Sequence, residues 1–340
     1  MYPSKFMAIK SPLWIGGRRS KSLSFKTKDL PWLCRNCWIS HGKTAPCLKA
    51  CKMMHISGKL KQIVSLGPEN FDFLKAANNN DSYQLSPTYY LFTGRKGLWV
   101  LEQDGQAALI AKHPNLEDEL LVFYPNGYCP NLEHQVLHHV PRNSRLKAAR
   151  LAVCANSNLN AVMDEELFLD WRYPVCILDT AYVGKLRGRL LEDVKNNYNR
   201  AARTICRIEA YNPAAHKDRM RELIQQWHRP EAHDGYEGLL NIMERMPGNF
   251  GLIALTEESI AGFIHWEMPW KPGSPANSLA LIVDKSIKGL SEFMMVEMCR
   301  ALVQTGCLAV NIGGSETESL HYFKSKFNPK MVDLRNYNYA

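Results

Sequence analysis

The stretch from Asn311 to Pro329 holds the densest set of residues fit for chemistry. A strand running through Asn311 into Gly313-Gly314 and then a helix would bring bare backbone N–H groups to a sheet edge. Such a corner holds a phosphate, a carboxylate or a developing oxyanion. Ser315 followed by Glu318 has the spacing of a capping box, which predicts a helix starting directly after the glycine pair. Leu320, Phe323 and Phe327 fall on one side of that helix to pack, Lys324 and Lys326 project elsewhere, and Pro329 ends it. Glu316 and Glu318 already complement the helix dipole. A glycine pair is also an ordinary tight turn, so both readings stand.

Two other residues have the type for proton transfer. His265, in the apolar run Ile260–Glu267, has a pKa suited to deprotonating an ammonium acceptor, or it is a core histidine beside Trp266. Asp284 ends a strand and either faces the same cleft or starts a turn. Cys34, Cys37, Cys47 and Cys51 offer four thiolates for a zinc ion, although the nine-residue loop between the pairs is short. His134 and His138 share a helix face, but Gln135 stands where a zinc protease has Glu, so they read as ordinary histidines.

These residues need elements to place them. Pro68–Ala77 has a helical start, Leu98–Ile110 alternates across an Asp104-Gly105 turn, and Leu120–Tyr124 is a further strand. Residues 131–154 read as mostly helical. Val175–Leu178 is a short strand, followed by a helix over roughly Leu186–Arg207 whose buried stripe is Leu190, Val194, Tyr198, Ala201 and Ile205. On that helix Arg189, Asn196, Arg200, Arg203 and Arg207 fall within about 40° of one another. The ridge is either a solvated face or a phosphate-contacting surface. A helix ending at Trp227, a hairpin of Asn249–Leu255 and Ile260–Glu267, a strand Ser278–Val283, a helix from Ser291 to Thr305, a strand Leu308–Ile312 and a last strand Met331–Tyr337 complete the order. The class is α/β, with α+β mixed sheets.

The formal charge is +9, from 42 Lys and Arg against 33 Asp and Glu. Residues 1–52 carry eleven of the bases and one acid, Asp29, so that segment is +10 and the remainder is −1. The basic, Cys-rich segment 1–52 is read as a zinc module, a disordered tail or a piece outside the native protein, with Met53 as a possible start. Two units follow, 53–170 and 171–340. No run of about 18 apolar residues is present to span a membrane. Ten cysteines without an export signal imply reduced thiols and a cytoplasmic place.

The stretches Pro174–Thr180 leading into Asn199-Arg200, Val283–Leu302, and Asn311–Gly314 with Phe323–Pro329 resemble the C-terminal domain of phosphatidylglycerol lysyltransferases and the related Fem-type transferases. The resemblance runs from about Pro68 to Tyr339. It implies tandem acetyltransferase-like (GNAT) domains, the second one catalytic, and transfer of an aminoacyl group from aminoacyl-tRNA with no other cofactor. It also implies that Phe323-Lys324 lies near the ester under attack. Lys324, with His265 and Asp284, is then the catalytic set. Asn311, Gly313, Gly314, Ser315, Phe323 and Lys326 bind substrate, and Arg189, Arg200, Arg203 and Arg207 take tRNA phosphates. The expected partners are tRNA and a small-molecule, peptide or lipid amine acceptor, a soluble one being favoured.

Two competing readings remain. An acyl-CoA-dependent N-acyltransferase would need a glycine-rich pyrophosphate turn, and Val283–Leu290 offers only Gly289. A non-catalytic RNA-binding protein would act through the basic N-terminus.

Overall fold

The structure is a computed structural model that describes residues 61–62, 67–114, 116–141, 144–152, 160–161, 172–227, 233–257 and 259–338. Cys34, Cys37, Cys47 and Cys51 lie outside the described residues. Among those described, no group of three or more His, Cys, Asp or Glu is placed to hold a metal, and no helix is long and apolar enough to cross a membrane.

Two seven-stranded mixed sheets organise the chain. The first unit supplies β1 (Lys61–Gln62), α1 (Pro87–Thr93), β2 (Leu98–Gln103), β3 (Gln106–Lys112), β4 (Glu119–Phe123), α2 (Pro130–His139), β5 (Arg145–Ala152) and β6 (Asn160–Ala161). The second begins with β7 (Val175–Asp179), α3 (Thr180–Lys185), α4 (Glu192–Ala201), β8 (Arg207–Ala210), α5 (Pro213–Gln226) and α6 (His233–Arg245). It continues through β9 (Asn249–Leu255), β10 (Ile260–Glu267), β11 (Ala276–Val283), α7 (Leu290–Gln304), β12 (Ala309–Asn311), α8 (Glu318–Ser325), β13 (Lys330–Val332) and β14 (Leu334–Asn338). The sheet orders are β1-β2-β3-β4-β5-β14-β6 and β13-β7-β12-β11-β10-β9-β8.

Each sheet has the same plan. An antiparallel meander (β2-β3-β4 or β9-β10-β11) leads through a helix (α2 or α7) to one parallel strand, β5 or β12. This repeated plan is the tandem acetyltransferase-like architecture. The last strand does not stay with its unit: β14 crosses back and pairs with β5 and β6.

Alternation along the strands explains the layers. Leu252 and Ala254 of β9 face the core under α3, α4 and α7, whereas Ile253 and Leu255 face α5 and α6. In β3, Ala107, Leu109 and Ala111 face α1, and Ala108 and Ile110 face α2. Ile242 of α6 and Met246 just after it join the apolar cluster under α1, so that cluster is shared by the two units.

Two expectations fail. The described residues of 131–152 are helix α2 and then strand β5, because the Ala-, Leu- and Arg-rich run 145–152 is held extended by β4 on one side and β14 on the other. The long helix over 186–207 is broken: Leu186 adopts φ 49°, Gly188 adopts φ 117°, and only α4 is regular helix. A helix running through Gly188 would need a conformation that glycine holds poorly.

Candidate functional site

The Gly313–Gly314 corner is built by sheet pairing. Beyond β12 the chain keeps bonding to β7, with Ile312 N–H donating to Cys176 O at 3.0 Å and Cys176 N–H to Gly313 O at 3.0 Å. Gly313 has φ 72°, the left-handed region that favours glycine. Tyr173 N–H then donates to Ser315 O at 3.1 Å. The helix starts later than the capping-box spacing suggests. Thr317, not Ser315, caps α8, accepting from Leu320 N–H at 3.3 Å. Gly313-Gly314 is therefore a sheet-edge turn and not a helix N-terminus.

Lys324 nevertheless returns to that turn. Its ammonium donates to the carbonyl of Gly314, and the residue is only 9% exposed. Ser315 beside it is fully buried, and its hydroxyl has no hydrogen-bond partner among the described residues. Phe323 is half-buried against the second core and meets Phe327 edge-on at 5.5 Å. Gly313, Gly314, Ser315, Phe323 and Lys324 thus form one locus: a cation largely removed from water beside a glycine turn. A fixed positive charge in low dielectric stabilises negative charge developing on oxygen.

Asn311 stands underneath. It is buried, its Oδ1 accepts from Gly313 N–H at 2.9 Å, and its Nδ2 donates to Ser82 Oγ at 3.1 Å and Asp81 Oδ1 at 3.4 Å. Both amide hydrogens serve the protein, so Asn311 holds the corner and does not offer itself to a substrate. Lys326 also turns elsewhere, with Nζ 3.4 Å from Glu292 Oε1 and over the Tyr322 ring at 5.2 Å.

The other two catalytic expectations are not met by the geometry. His265 is fully buried, and its Nε2 bonds Asn249 Oδ1 at 2.7 Å. Asn249 Nδ2 donates to Met246 O, so Oδ1 is the acceptor and Nε2 carries the proton. Burial lowers the His265 pKa to about 3, so the ring is neutral. Asp284 is exposed, and its carboxylate accepts from Ser286 N–H at 2.8 Å. It starts a turn.

The basic ridge also changes shape. Arg189 precedes α4 in a 3-10 turn, Arg200 lies on α4, Arg203 follows it, and Arg207 opens β8. All four are exposed, but they do not line one helix face, and Arg207 pairs with Glu209 at 2.8 Å. At the start of α7, Gly289 has φ 86°, and a Cβ there would lie 2.2 Å from the Asn197 carbonyl oxygen. Asn197 Nδ2 donates to the buried Glu292 carboxylate at 2.8 Å. That helix start already holds an internal carboxylate.

One buried acid escaped sequence reasoning. Glu267, at the end of β10, accepts from Ser86 Oγ, from Thr88 Oγ1 at 2.6 Å and from Thr88 N–H at 3.2 Å. Burial raises its pKa to about 7 despite these bonds. Its partners lie about 180 residues away, so no linear motif announces it. Between its ordinary value of 4.5 and about 7, the folded protein keeps a proton that the unfolded chain has released. Stability therefore falls as pH rises through this window and levels off above it. His265 acts oppositely: it is uncharged above about 3 in the fold but takes a proton below 6.5 when unfolded, so its contribution rises with pH. In the parent chain the two contributions offset each other up to about pH 6.5, so a pH series of denaturant midpoints is expected to show that stability rises more steeply with pH in Glu267→Gln than in the parent. A variant series that keeps the wild-type slope assigns that slope elsewhere.

Known proteins give the locus a context. The sequence model of the family described as phosphatidylglycerol lysyltransferase, C-terminal, matches residues 77–334. No curated protein matches the sequence. A conserved protein of unknown function from Bacteroides thetaiotaomicron shares the fold with a TM-score of 0.61 at 16% identity, over 82% of this chain and 98% of that one. The structure of L-PGS from Bacillus licheniformis gives 0.53 at 14%, over 80% and 91%. FemX gives 0.56 at 12%, over 82% and 97%.

Proposed function

The chain belongs to the phosphatidylglycerol lysyltransferase C-terminal family, and on that premise we propose that it transfers an aminoacyl group from aminoacyl-tRNA to an amine acceptor. The observation carrying this reading is Lys324, its ammonium held at the Gly314 carbonyl. An acceptor amine attacks the ester carbonyl, a C–N bond forms, and the carbonyl oxygen becomes an oxyanion. The C–O bond to the ribose then breaks, and the proton lost by the amine ends on the departing ribose oxygen. Lys324 stabilises negative charge on the first oxygen and then on the second. The acceptor amine is carried on a small molecule, a peptide or a lipid headgroup.

The start of α7 supports tRNA over acyl-CoA as donor. A pyrophosphate bound there would meet the Glu292 carboxylate and the Asn197 carbonyl before any free N–H group. Exposed Arg189, Arg200 and Arg203 supply phosphate contacts of the kind a polyanion uses.

Binding of charged tRNA across a salt series, with acetyl-CoA as competitor, tests the donor. The expected result is saturable binding that CoA does not displace, with the log–log salt slope reduced by about one in Arg200→Glu. Displacement by CoA, or an unchanged slope in Arg200→Glu together with no consumption of charged tRNA, overturns the reading.

A further inference from the structure

β11 and β12 pair only at Ala276/Val310 and Asn277/Asn311, and then separate while β11 runs on to Val283. β11 also bulges, since His265 faces Ala280 and Glu267 faces Asn277, leaving Ser278 and Leu279 opposite Trp266. The apex of this fork is filled from the first unit. Ser82 Oγ donates to Asn277 Oδ1 at 2.5 Å, Asn277 Nδ2 to Ser82 O at 3.1 Å, and the Tyr83 hydroxyl to Ser278 O at 2.6 Å.

The same segment is anchored in the other sheet at a second bulge. Arg335 faces Leu151 and Tyr337 faces Ala148, so Ala149 and Arg150 lie opposite a single residue. Arg150 takes φ 57°, a left-handed conformation that a long side chain adopts only when its surroundings enforce it. The bulge aims its guanidinium inward. Nε and Nη2 donate to the two Asp81 oxygens at 2.6 and 2.9 Å, and the guanidinium lies 4.6 and 5.3 Å from the centroids of the stacked Tyr83 and Tyr89 rings. Gln84 Nε2 donates to the carbonyls of Ala149 and Arg150 at 3.2 and 3.3 Å.

Joined together, these contacts run from Arg150 to Asp81, from Asp81 to the Asn311 amide, and from Asn311 to the Gly313 N–H. We infer that Asp81, fixed by Arg150, is a positioning residue: the first unit sets the Gly313–Gly314 turn of the second, and with it the carbonyl that holds Lys324. The choice of residues supports this. Ordinary apolar packing would join two units without removing a carboxylate and a guanidinium from water, since a buried ion pair is seldom the most stabilising filling. It does fix one geometry, because the planar fork accepts only one arrangement of the carboxylate. Strain at Arg150 and an ion pair lying within 2% of full burial converge on the one amide that caps the turn.

The activity arm of the test rests on the proposed function, and the structural arm does not. Hydrogen exchange at the Gly313 amide is measured in the full chain for Asp81→Asn, which keeps shape and one acceptor, and for Arg150→Lys, which keeps charge but loses the fork. Exchange is expected to quicken about tenfold or more in both while unfolding stays cooperative. Transfer is expected to lose about ten- to a hundredfold in kcat, with KM for charged tRNA nearly unchanged, as a misplaced catalytic group requires. Exchange at Gly313 no faster than in the parent chain overturns the coupling even if the melting temperature drops. Quickened exchange with kcat unchanged overturns the positioning role. If the parent chain transfers nothing, the donor reading fails, and the exchange arm alone still decides whether Asp81 sets the turn.

Discussion

Replacing Lys324 with alanine is expected to lower aminoacyl transfer by about 10²–10³-fold, the loss typical when one preorganised oxyanion partner is removed. The drop should fall on kcat. Lys324 lies in the interior of the corner, and the arginines that would meet tRNA lie on the exposed surface around α4. An interaction made only once charge develops lowers kcat and kcat/KM together. Folding is the obvious confounder, and its size can be bounded. The variant loses at least the charged bond from Nζ to the Gly314 carbonyl, worth about 1.5–3 kcal/mol net, together with some packing of the side chain's methylenes. That is too little to unfold a chain of ordinary stability. Lys324→Met, which keeps the length and most of the packing, should be as inactive as alanine. Lys324→Arg should recover little, because a planar fork does not replace a compact ammonium in a site this enclosed. Single-turnover consumption of charged tRNA is the measurement. Activity within about threefold of the parent in Lys324→Met would remove the cation from the mechanism.

The parts of this fold that sequence exposes are those fixed by local rules. The hairpin strands Asn249–Leu255 and Ile260–Glu267 have the same bounds in the structure as the hydrophobic run around the turn suggests. Asp104 and Gly105 take φ 50° and 74°, the paired left-handed values that an Asp-Gly hairpin turn requires. Elements decided by long-range pairing are hidden. Residues 145–152 contain no β-branched side chain, and only β4 and β14 make them a strand. The apolar stripe read across residues 190–205 conceals the break at Gly188: Leu190, counted in that stripe, is 67% exposed, and its neighbour Leu191 in the 3-10 turn is the residue buried beside Val194. The site divides in the same way. Gly313-Gly314 shows in the sequence as a turn, and Lys324 is legible through family resemblance. The seam beneath them is not. Ser82, Tyr83, Ser86 and Thr88 meet their partners across 161 to 229 residues of chain. A buried Ser, Thr or Asn that completes another unit's hydrogen bonds looks like any surface polar residue until the two units are brought together.

Arg150→Ala tests that seam by stability. It should cost about 3–5 kcal/mol, because it leaves the Asp81 carboxylate buried without its cation. The pair is enclosed: both side chains are at most 2% exposed, and the guanidinium lies against the stacked Tyr83 and Tyr89 rings. Water cannot reach in to screen the orphaned charge without parting the units. The test lies in the contrast between single and double replacements. Asp81→Leu with Arg150→Met removes both charges and fills most of the space, and it should regain much of the stability lost in Arg150→Ala. The Gly313 turn, however, would have lost the carboxylate that orients Asn311. A double variant that is stable but inactive would therefore separate what holds the two units together from what sets the corner. Denaturant midpoints supply the first quantity and transfer rates the second. Should Arg150→Ala lose less than about 1 kcal/mol, the pair is solvated in solution and the seam is open. The opposite pattern, a double variant as unstable as the single one, would mean that the ion pair itself carries the junction. Positioning of the Gly313 turn would then be a consequence of folding and not a separate task.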